Sequence, residues 1–144
     1  MADSKYGKYI VTELKTDQFT SEAAAQYAQW ATRILWLDDK VVEGAFQMNC
    51  SWYLKPNAGQ NLSEPHVHDC DEIIGFFGSN PEDPHDLGGE VEFWLEGELH
   101  LITRSCLIFV PKGMKHCPLL IRRVDRPIFH FSTVTGGRYE PKPA

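Results

Sequence analysis

Two histidines and a glutamate lie close together in residues 65–72 (PHVHDCDE). If this segment is a β-strand, alternate side chains share one face. The residues on that face are then His66, His68, Cys70 and Glu72. Imidazole nitrogens and a carboxylate are ligands of first-row divalent metals such as Fe, Mn, Ni and Zn. The spacing therefore predicts a site for one divalent transition metal, with Cys70 on the same predicted face.

A further donor is expected from the second half of the chain. His116 follows an apolar segment at residues 106–110 and a Pro111-Lys112-Gly113 turn. Proline and glycine at these positions favour a tight turn at the end of a strand. We therefore predict that His116 completes the metal site.

These two segments resemble the paired motifs of the cupin superfamily. In that family, the first motif is a His-x-His pair followed by a glutamate, and the second is Pro-x-Gly followed by a histidine and an asparagine. The resemblance covers about residues 46–133. The departures from the pattern are Gly59 and Gly78, each one place off, Ser105 in place of a glycine, and Leu120 in place of the asparagine.

The resemblance implies a ligand set of three histidines and one glutamate at one end of a jelly-roll barrel. In this sequence the corresponding residues are His66, His68, Glu72 and His116. One or two coordination positions would stay open for water or substrate.

The rest of the sequence favours an all-β fold, because many short apolar segments are separated by glycine and proline turns. Predicted strands include residues 46–54, 90–95, 99–103, 106–110 and 128–134. The predicted fold is a cupin jelly-roll barrel with an N-terminal helical extension. Its predicted divisions are an extension at residues 1–40, a barrel at 41–135 and a C-terminal tail at 136–144.

The extension is predicted to contain a short strand, Tyr9 to Val11, and a helix. The helix is expected to begin near Thr20, whose hydroxyl can cap free N–H groups, and to end near Ala31. The segment at residues 78–89, rich in glycine and proline, is expected to be irregular. It could overhang the barrel mouth as a lid or a dimer contact.

The candidates for a catalytic proton-transfer group are His130 and Tyr53, followed by Glu90 and His100. His130 lies between Phe129 and Phe131, so it faces solvent if those aromatic rings fill the space between the sheets. If it points inward instead, it could act on bound substrate.

Other residues are expected to line the substrate pocket or to face solvent. Trp52, Phe93 and Phe109 could form an aromatic wall for a flat or apolar substrate. His85 is expected to be solvated. A basic cluster is expected to form a solvated face or to supply one cation for a substrate carboxylate. Its members are Lys112, Lys115, Arg122, Arg123 and Arg126.

Composition limits the partners and the compartment. The chain has 144 residues and a formal net charge of -6, so nucleic acid and anionic membranes are not expected as main partners. Neither a membrane span nor the apolar core of a signal peptide is evident. The four scattered cysteines favour reduced thiols and a cytoplasmic location. The expected partners are a small-molecule substrate and a second copy of the chain in a homodimer.

Three functional classes follow from these patterns. The first is a small mononuclear metal-dependent enzyme, either an Fe-dependent dioxygenase or a non-redox lyase, isomerase or cyclase. The second is a non-catalytic sensor that binds metal or ligand. The third is a structural protein with a vestigial site, which the intact set of ligands argues against.

Overall fold

The computed structural model describes residues 4–15, 21–57 and 63–144. The helical elements are a 3-10 helix at Gly7–Tyr9 and α1 at Ser21–Tyr27. The strands are β1 (Ala31–Leu37), β2 (Gln47–Tyr53), β3 (His66–Val67), β4 (Glu72–Phe77), β5 (Asp86–Leu95), β6 (Glu98–Arg104), β7 (Cys106–Val110), β8 (His116–Val124), β9 (Ile128–Val134) and β10 (Lys142–Pro143).

These strands form two five-stranded antiparallel sheets, so the all-β prediction is confirmed. The strand order is β1-β2-β9-β4-β7 in the first sheet and β10-β3-β8-β5-β6 in the second. The core lies between the two inner faces, where Phe76 of β4 meets Phe93 of β5 with ring centroids 6.4 Å apart. Both side chains are fully buried.

Segments with strong local signals fold as their sequence predicts. The predicted strands at 106–110 and 128–134 have the same bounds in β7 and β9. Strands β5 and β6 form the predicted hairpin, in which Leu95 pairs with Glu98. The two residues between them, Glu96 and Gly97, have φ of 48° and 78°. Positive φ at both positions is typical of a type I′ turn, which matches the twist of the flanking strands.

The N-terminal predictions are partly wrong. The expected strand at Tyr9 is instead the end of a 3-10 helix. Helix α1 ends at Tyr27, before the predicted end near Ala31, because Trp30 and Ala31 are buried in the core. The Trp30 carbonyl accepts hydrogen bonds from the backbone N–H groups of residues 54 and 55, so tertiary packing directs this segment into β1. The predicted helix start at residue 20 lies outside the described residues.

Strands also form before and after residues 41–135, the segment predicted as the barrel. Strand β1 is hydrogen-bonded to β2 at the edge of the first sheet, and β10 pairs with β3 in the second. The lid prediction for residues 78–89 is wrong. This segment follows Phe77, at the opposite end of β4 from Glu72, and β5 already begins at Asp86.

Candidate metal centre and its cavity

The predicted histidine strand is two strands in different sheets. Strand β3 belongs to the second sheet, and the chain then crosses through residues 68–71 to β4 in the first. His66 and His68 keep the expected common face, but the alternation is lost before Cys70. The Cys70 Sγ instead lies next to Gly136, in a separate surface cavity, so its predicted common face with the ligands is wrong.

Three of the predicted ligands meet where the two sheets approach each other. The Glu72 Oε1 atom lies 2.9 Å from His116 Nε2 and 3.4 Å from His68 Nε2. All three side chains are buried. The turn before His116 is tied to the first motif, because the Gly113 N–H donates to the His68 carbonyl at 3.0 Å. We call His68, Glu72 and His116 the ligand triad.

Backbone carbonyls hold the histidine rings in one tautomer. The Nδ1 atoms of His66, His68 and His116 lie 2.6, 3.4 and 3.0 Å from the carbonyl oxygens of residues 64, 140 and 114. A carbonyl only accepts, so each Nδ1 carries the proton and each Nε2 presents a lone pair. Metal-binding histidines are held in the same way.

The inward-facing atoms of the triad lack hydrogen-bond partners among the described residues. They are His68 Nε2, His116 Nε2 and Glu72 Oε1. Three buried acceptors that face one another repel unless a cation lies between them. Two ligands about 2.1 Å from one ion are separated by about 3.0 Å at a right angle and about 3.4 Å at the tetrahedral angle. The observed separations therefore fit a first-row divalent metal.

His66 lies beside the triad. Its ring centroid is 4.2 Å from that of His116 and 4.9 Å from that of His68. Its Nε2 atom is 3.3 Å from the Tyr139 hydroxyl. His66, His116 and Cys117 form a second group whose ligand atoms are close enough to hold a metal ion. Burial raises the pKa of the Cys117 thiol to about 12, which disfavours the thiolate that would bind the metal. Burial lowers the pKa of His66 and His68, which favours the neutral form that binds metals.

A cavity of about 280 Å³ adjoins the triad between the two sheets. Its wall on β2 is formed by Gln47, Asn49 and Tyr53, which alternate inward and are buried. The predicted aromatic wall is mostly wrong. Phe93 lines the cavity, but Trp52 and Phe109 lie on the opposite faces of their strands, where Trp52 packs against Phe129 with centroids 5.3 Å apart.

The predicted catalytic residues His130 and Tyr53 both line this cavity and are buried. The His130 Nδ1–H donates to the Gly75 carbonyl at 3.1 Å, and its ring stacks on Tyr53 at 4.9 Å and on Phe76 at 5.0 Å. Burial lowers the pKa of His130 to about 4, so the ring is neutral. Burial also raises the pKa of the Tyr53 phenol. Their catalytic roles stay a prediction.

The alternative proton-transfer groups and the basic cluster lie elsewhere. His100 is exposed and pairs with Glu98 at 2.8 Å, and Glu90 does not line the cavity. No member of the predicted basic cluster lines it either, and Arg122 instead pairs with Glu92 on the outer surface. These side chains point away because they occupy outward positions of their strands or adjoining turns.

Arg33 and Tyr139 are among the polar residues at the cavity that sequence reasoning missed. Tyr139 reaches the centre because β10 returns to pair with β3. Its ring lies 5.0 Å from that of His68. An aromatic residue in a segment rich in glycine and proline was the available signal, but the pairing that positions it is long-range.

Comparison with known proteins finds no matching family model and no similar curated sequence. Several solved structures share the fold. One is an oxalate oxidase with a TM-score of 0.57 and 12% identity, where the match covers 100% of this chain and 67% of that chain. Another is Peruvianin-I, a cysteine peptidase from Thevetia peruviana latex, with a TM-score of 0.57, 8% identity and coverage of 99% and 81%. A cupin-2 domain from Rhodospirillum rubrum has a TM-score of 0.46, 12% identity and coverage of 68% and 55%.

The match to the oxalate oxidase shows that the two chains share a fold, and the resemblance of the two histidine motifs to those of the cupin superfamily stays a prediction. This chain spans about two thirds of the length of the oxalate oxidase. Proteins of this fold carry different activities in their names, so the fold alone does not assign one. No helix among the described residues is long and apolar enough to cross a membrane.

Proposed function

We propose that this protein is a mononuclear metal-dependent enzyme that acts on a small polar organic molecule. The observation that carries the proposal is the ligand triad, whose buried acceptor atoms converge without partners among the described residues. The adjoining polar cavity supports catalysis, because a purely structural metal site has no need of space for a substrate.

The ligands proposed for the metal are His68, Glu72 and His116, with His66 as the fourth. A bound divalent metal would polarise a carbonyl oxygen or lower the pKa of bound water. The same ligands also suit iron, which would allow dioxygen chemistry. The metal itself is left open among Fe, Mn, Ni and Zn.

Tyr139 is the proposed proton donor. Its hydroxyl lies 3.3 Å from His66 Nε2, at the edge of the metal centre. Burial raises the pKa of this phenol, so it stays protonated at neutral pH. A protonated hydroxyl beside a metal can donate to an oxygen that gains negative charge during reaction. His130 and Tyr53 lie deeper and are proposed to shape the far end of the cavity.

Polar side chains along the cavity favour the non-redox branch of the prediction, a lyase, isomerase or cyclase. Gln47 and Asn49 line the cavity and offer hydrogen bonds to a polar substrate. In this branch, Tyr139 would donate its hydroxyl proton to the substrate oxygen that gains negative charge, and a metal held by the triad would supply a positive charge beside that oxygen. Dioxygen would have no part in the reaction.

The proposal predicts turnover in the absence of oxygen. A panel of small hydroxy and oxo compounds, charged and neutral, would be incubated with metal-loaded protein and followed by NMR under nitrogen and under air. Equal turnover in both gases is expected. Turnover that requires oxygen would contradict the non-redox assignment and favour the dioxygenase branch.

Tyr139→Phe should lower turnover by about 100-fold or more, because general acid catalysis contributes about 10²–10⁴-fold. Its metal content should equal that of the wild type. The matched control is Tyr9→Phe, since Tyr9 is exposed on the surface. A Tyr139→Phe variant with wild-type turnover would exclude this hydroxyl as the proton donor.

A further inference from the structure

Arg33 is a cation inside the substrate cavity, and it comes from β1 at the sheet edge. The register of β1 and β2 shifts between Arg33 and Leu35, which is a β-bulge. Arg33 precedes the shift and pairs with Ser51, so it shares the inward face with the buried Ala31, which pairs with Tyr53. Although burial lowers the pKa of Arg33, a guanidinium stays protonated at neutral pH.

The guanidinium is held in a defined position by three cavity residues. Its Nη1 atom donates to Asn49 Oδ1 at 3.0 Å. The guanidinium carbon lies 4.5 Å from the ring centroid of Tyr27 and 5.5 Å from that of Trp36. Tyr27 is fixed in turn, because its hydroxyl donates to Ser51 Oγ at 2.8 Å. A stacked guanidinium of this kind is preorganised to bind an anion.

Gln47 provides an independent sign of a ligand. Its side chain is fully buried and lines the same cavity. Neither Oε1 nor Nε2 has a hydrogen-bond partner among the described residues. A buried amide without partners is costly, so a molecule that binds in the cavity is expected to supply them.

The strand register places Gln47 on the same sheet as Glu72 of the triad, at the same level. Gln47 and Glu72 both pair with Val134 of β9, on opposite sides of that strand. Their backbones are therefore two strand spacings apart, about 10 Å. The cavity of about 280 Å³ has the volume of roughly nine water molecules at about 30 Å³ each. A small molecule in this cavity can contact Gln47 and the triad at the same time.

We propose that Arg33, Asn49 and Gln47 form an anchoring subsite for a carboxylate, and that the substrate is a small organic acid. The carboxylate accepts hydrogen bonds from the N–H groups of Arg33 and of the Gln47 amide, while Asn49 holds the guanidinium in place. A hydroxyl or carbonyl oxygen at the other end of the molecule is directed towards the triad. This inference rests on the proposed function, and it names the substrate class for the same site.

Charge supports an anion in this cavity. A divalent cation at the triad and the guanidinium of Arg33 together exceed the single negative charge of Glu72. An anionic substrate reduces this excess and is drawn into the cavity by it. Arginine also pairs with a carboxylate through two parallel hydrogen bonds, which fixes the orientation of the bound acid.

The test measures binding of malate and succinate, with dimethyl succinate as the neutral probe. Isothermal titration calorimetry would be run on the wild type and on Arg33→Gln. Each protein would be measured in a metal-free form, prepared with EDTA, and in a form loaded with Mn²⁺ or Zn²⁺. We expect both acids to bind the wild type at millimolar concentration and the diester not to bind. Arg33→Gln should weaken acid binding by about 10- to 100-fold, because hydrogen bonds to charged groups are worth about 1.5–3 kcal/mol.

Two further variants keep the test informative if Arg33→Gln folds poorly. Gln47→Leu should weaken acid binding and leave the metal content unchanged. It should also raise the melting temperature of the unliganded protein, since it removes an unpartnered buried amide. Arg122→Gln is the matched control, because Arg122 pairs with Glu92 outside the cavity. Its binding of the acids should equal that of the wild type.

The outcomes separate this inference from the proposed function. Acid binding that is unchanged in Arg33→Gln and Gln47→Leu, or absent in the wild type, overturns the subsite even if the metal content is intact. Acid binding that depends on Arg33 in a protein that takes up no metal supports the subsite and contradicts the metal-dependent enzyme.

Discussion

Glu72→Gln should abolish the stabilisation of this protein by a divalent metal. A metal that binds only the folded state at 1,000 times its dissociation constant raises the free energy of unfolding by about 4 kcal/mol. The wild type is expected to gain this amount, and the variant almost none. Glu72 is the carboxylate of the triad, and its Oε1 atom lies within 3.4 Å of both partner nitrogens.

The same substitution should leave the metal-free protein at least as stable as the wild type. Glu72 presents a buried acceptor atom to two imidazole lone pairs, whereas a glutamine amide can donate to one of them. Urea unfolding with EDTA and with Zn²⁺ or Mn²⁺ would measure both effects. The control is Glu98→Gln, which changes an exposed carboxylate paired with His100. Full metal stabilisation in Glu72→Gln would show that the triad does not hold the metal.

His130→Phe should remove much of the acid sensitivity of the metal-free protein. Burial lowers the pKa of His130 from 6.5 to about 4. Between these values the unfolded chain binds a proton that the folded chain does not, so stability falls as pH decreases from 6.5 towards 4. The contribution of His130 to this fall is about 3 kcal/mol, at 1.36 kcal/mol per pKa unit. Burial also lowers the pKa of His66 and His68, so both residues add to the loss of stability as the pH decreases.

The measurement is the free energy of unfolding in urea with EDTA at several pH values from 7 to 4.5. Phenylalanine keeps a flat ring between Tyr53 and Phe76 but loses the hydrogen bond to the Gly75 carbonyl. The variant should therefore be less stable near pH 7 and show a shallower slope below pH 6.5. His85→Gln, at an exposed position outside the cavity, should keep the wild-type slope. Parallel profiles for wild type and His130→Phe would contradict the buried neutral histidine.

Local sequence signals predicted most strands and the turn before His116. Strand β9 is rich in β-branched and aromatic residues, and the turn of β5 and β6 contains Gly97, where φ is positive. The Pro111-Lys112-Gly113 turn has a similar local cause, since Gly113 has φ of 82°. These features depend on neighbours in sequence, so periodicity and turn chemistry predict them.

The features that were missed depend on contacts between distant residues. Cys70 left the common face because the chain changes sheets between His68 and Glu72, and nothing in the local alternation marks that crossing. Arg33 faces the cavity because β1 pairs with β2 in a register that aligns it with Ser51, and Tyr139 reaches the cavity because β10 pairs with β3. The polar residues of β2 face inward because they line a cavity, whereas hydrophobic patterning alone places polar side chains outside.

Metal content tests the central claim most directly. The wild type and His116→Ala would be purified without a histidine tag and without added metal. Their metal content would then be measured by inductively coupled plasma mass spectrometry. We expect a near-stoichiometric first-row metal in the wild type and its loss in the variant, because His116 Nε2 is one of the three converging acceptors. Wild-type protein that stays metal-free after incubation with Fe²⁺, Mn²⁺, Ni²⁺ and Zn²⁺ in turn would contradict a metal centre at His68, Glu72 and His116.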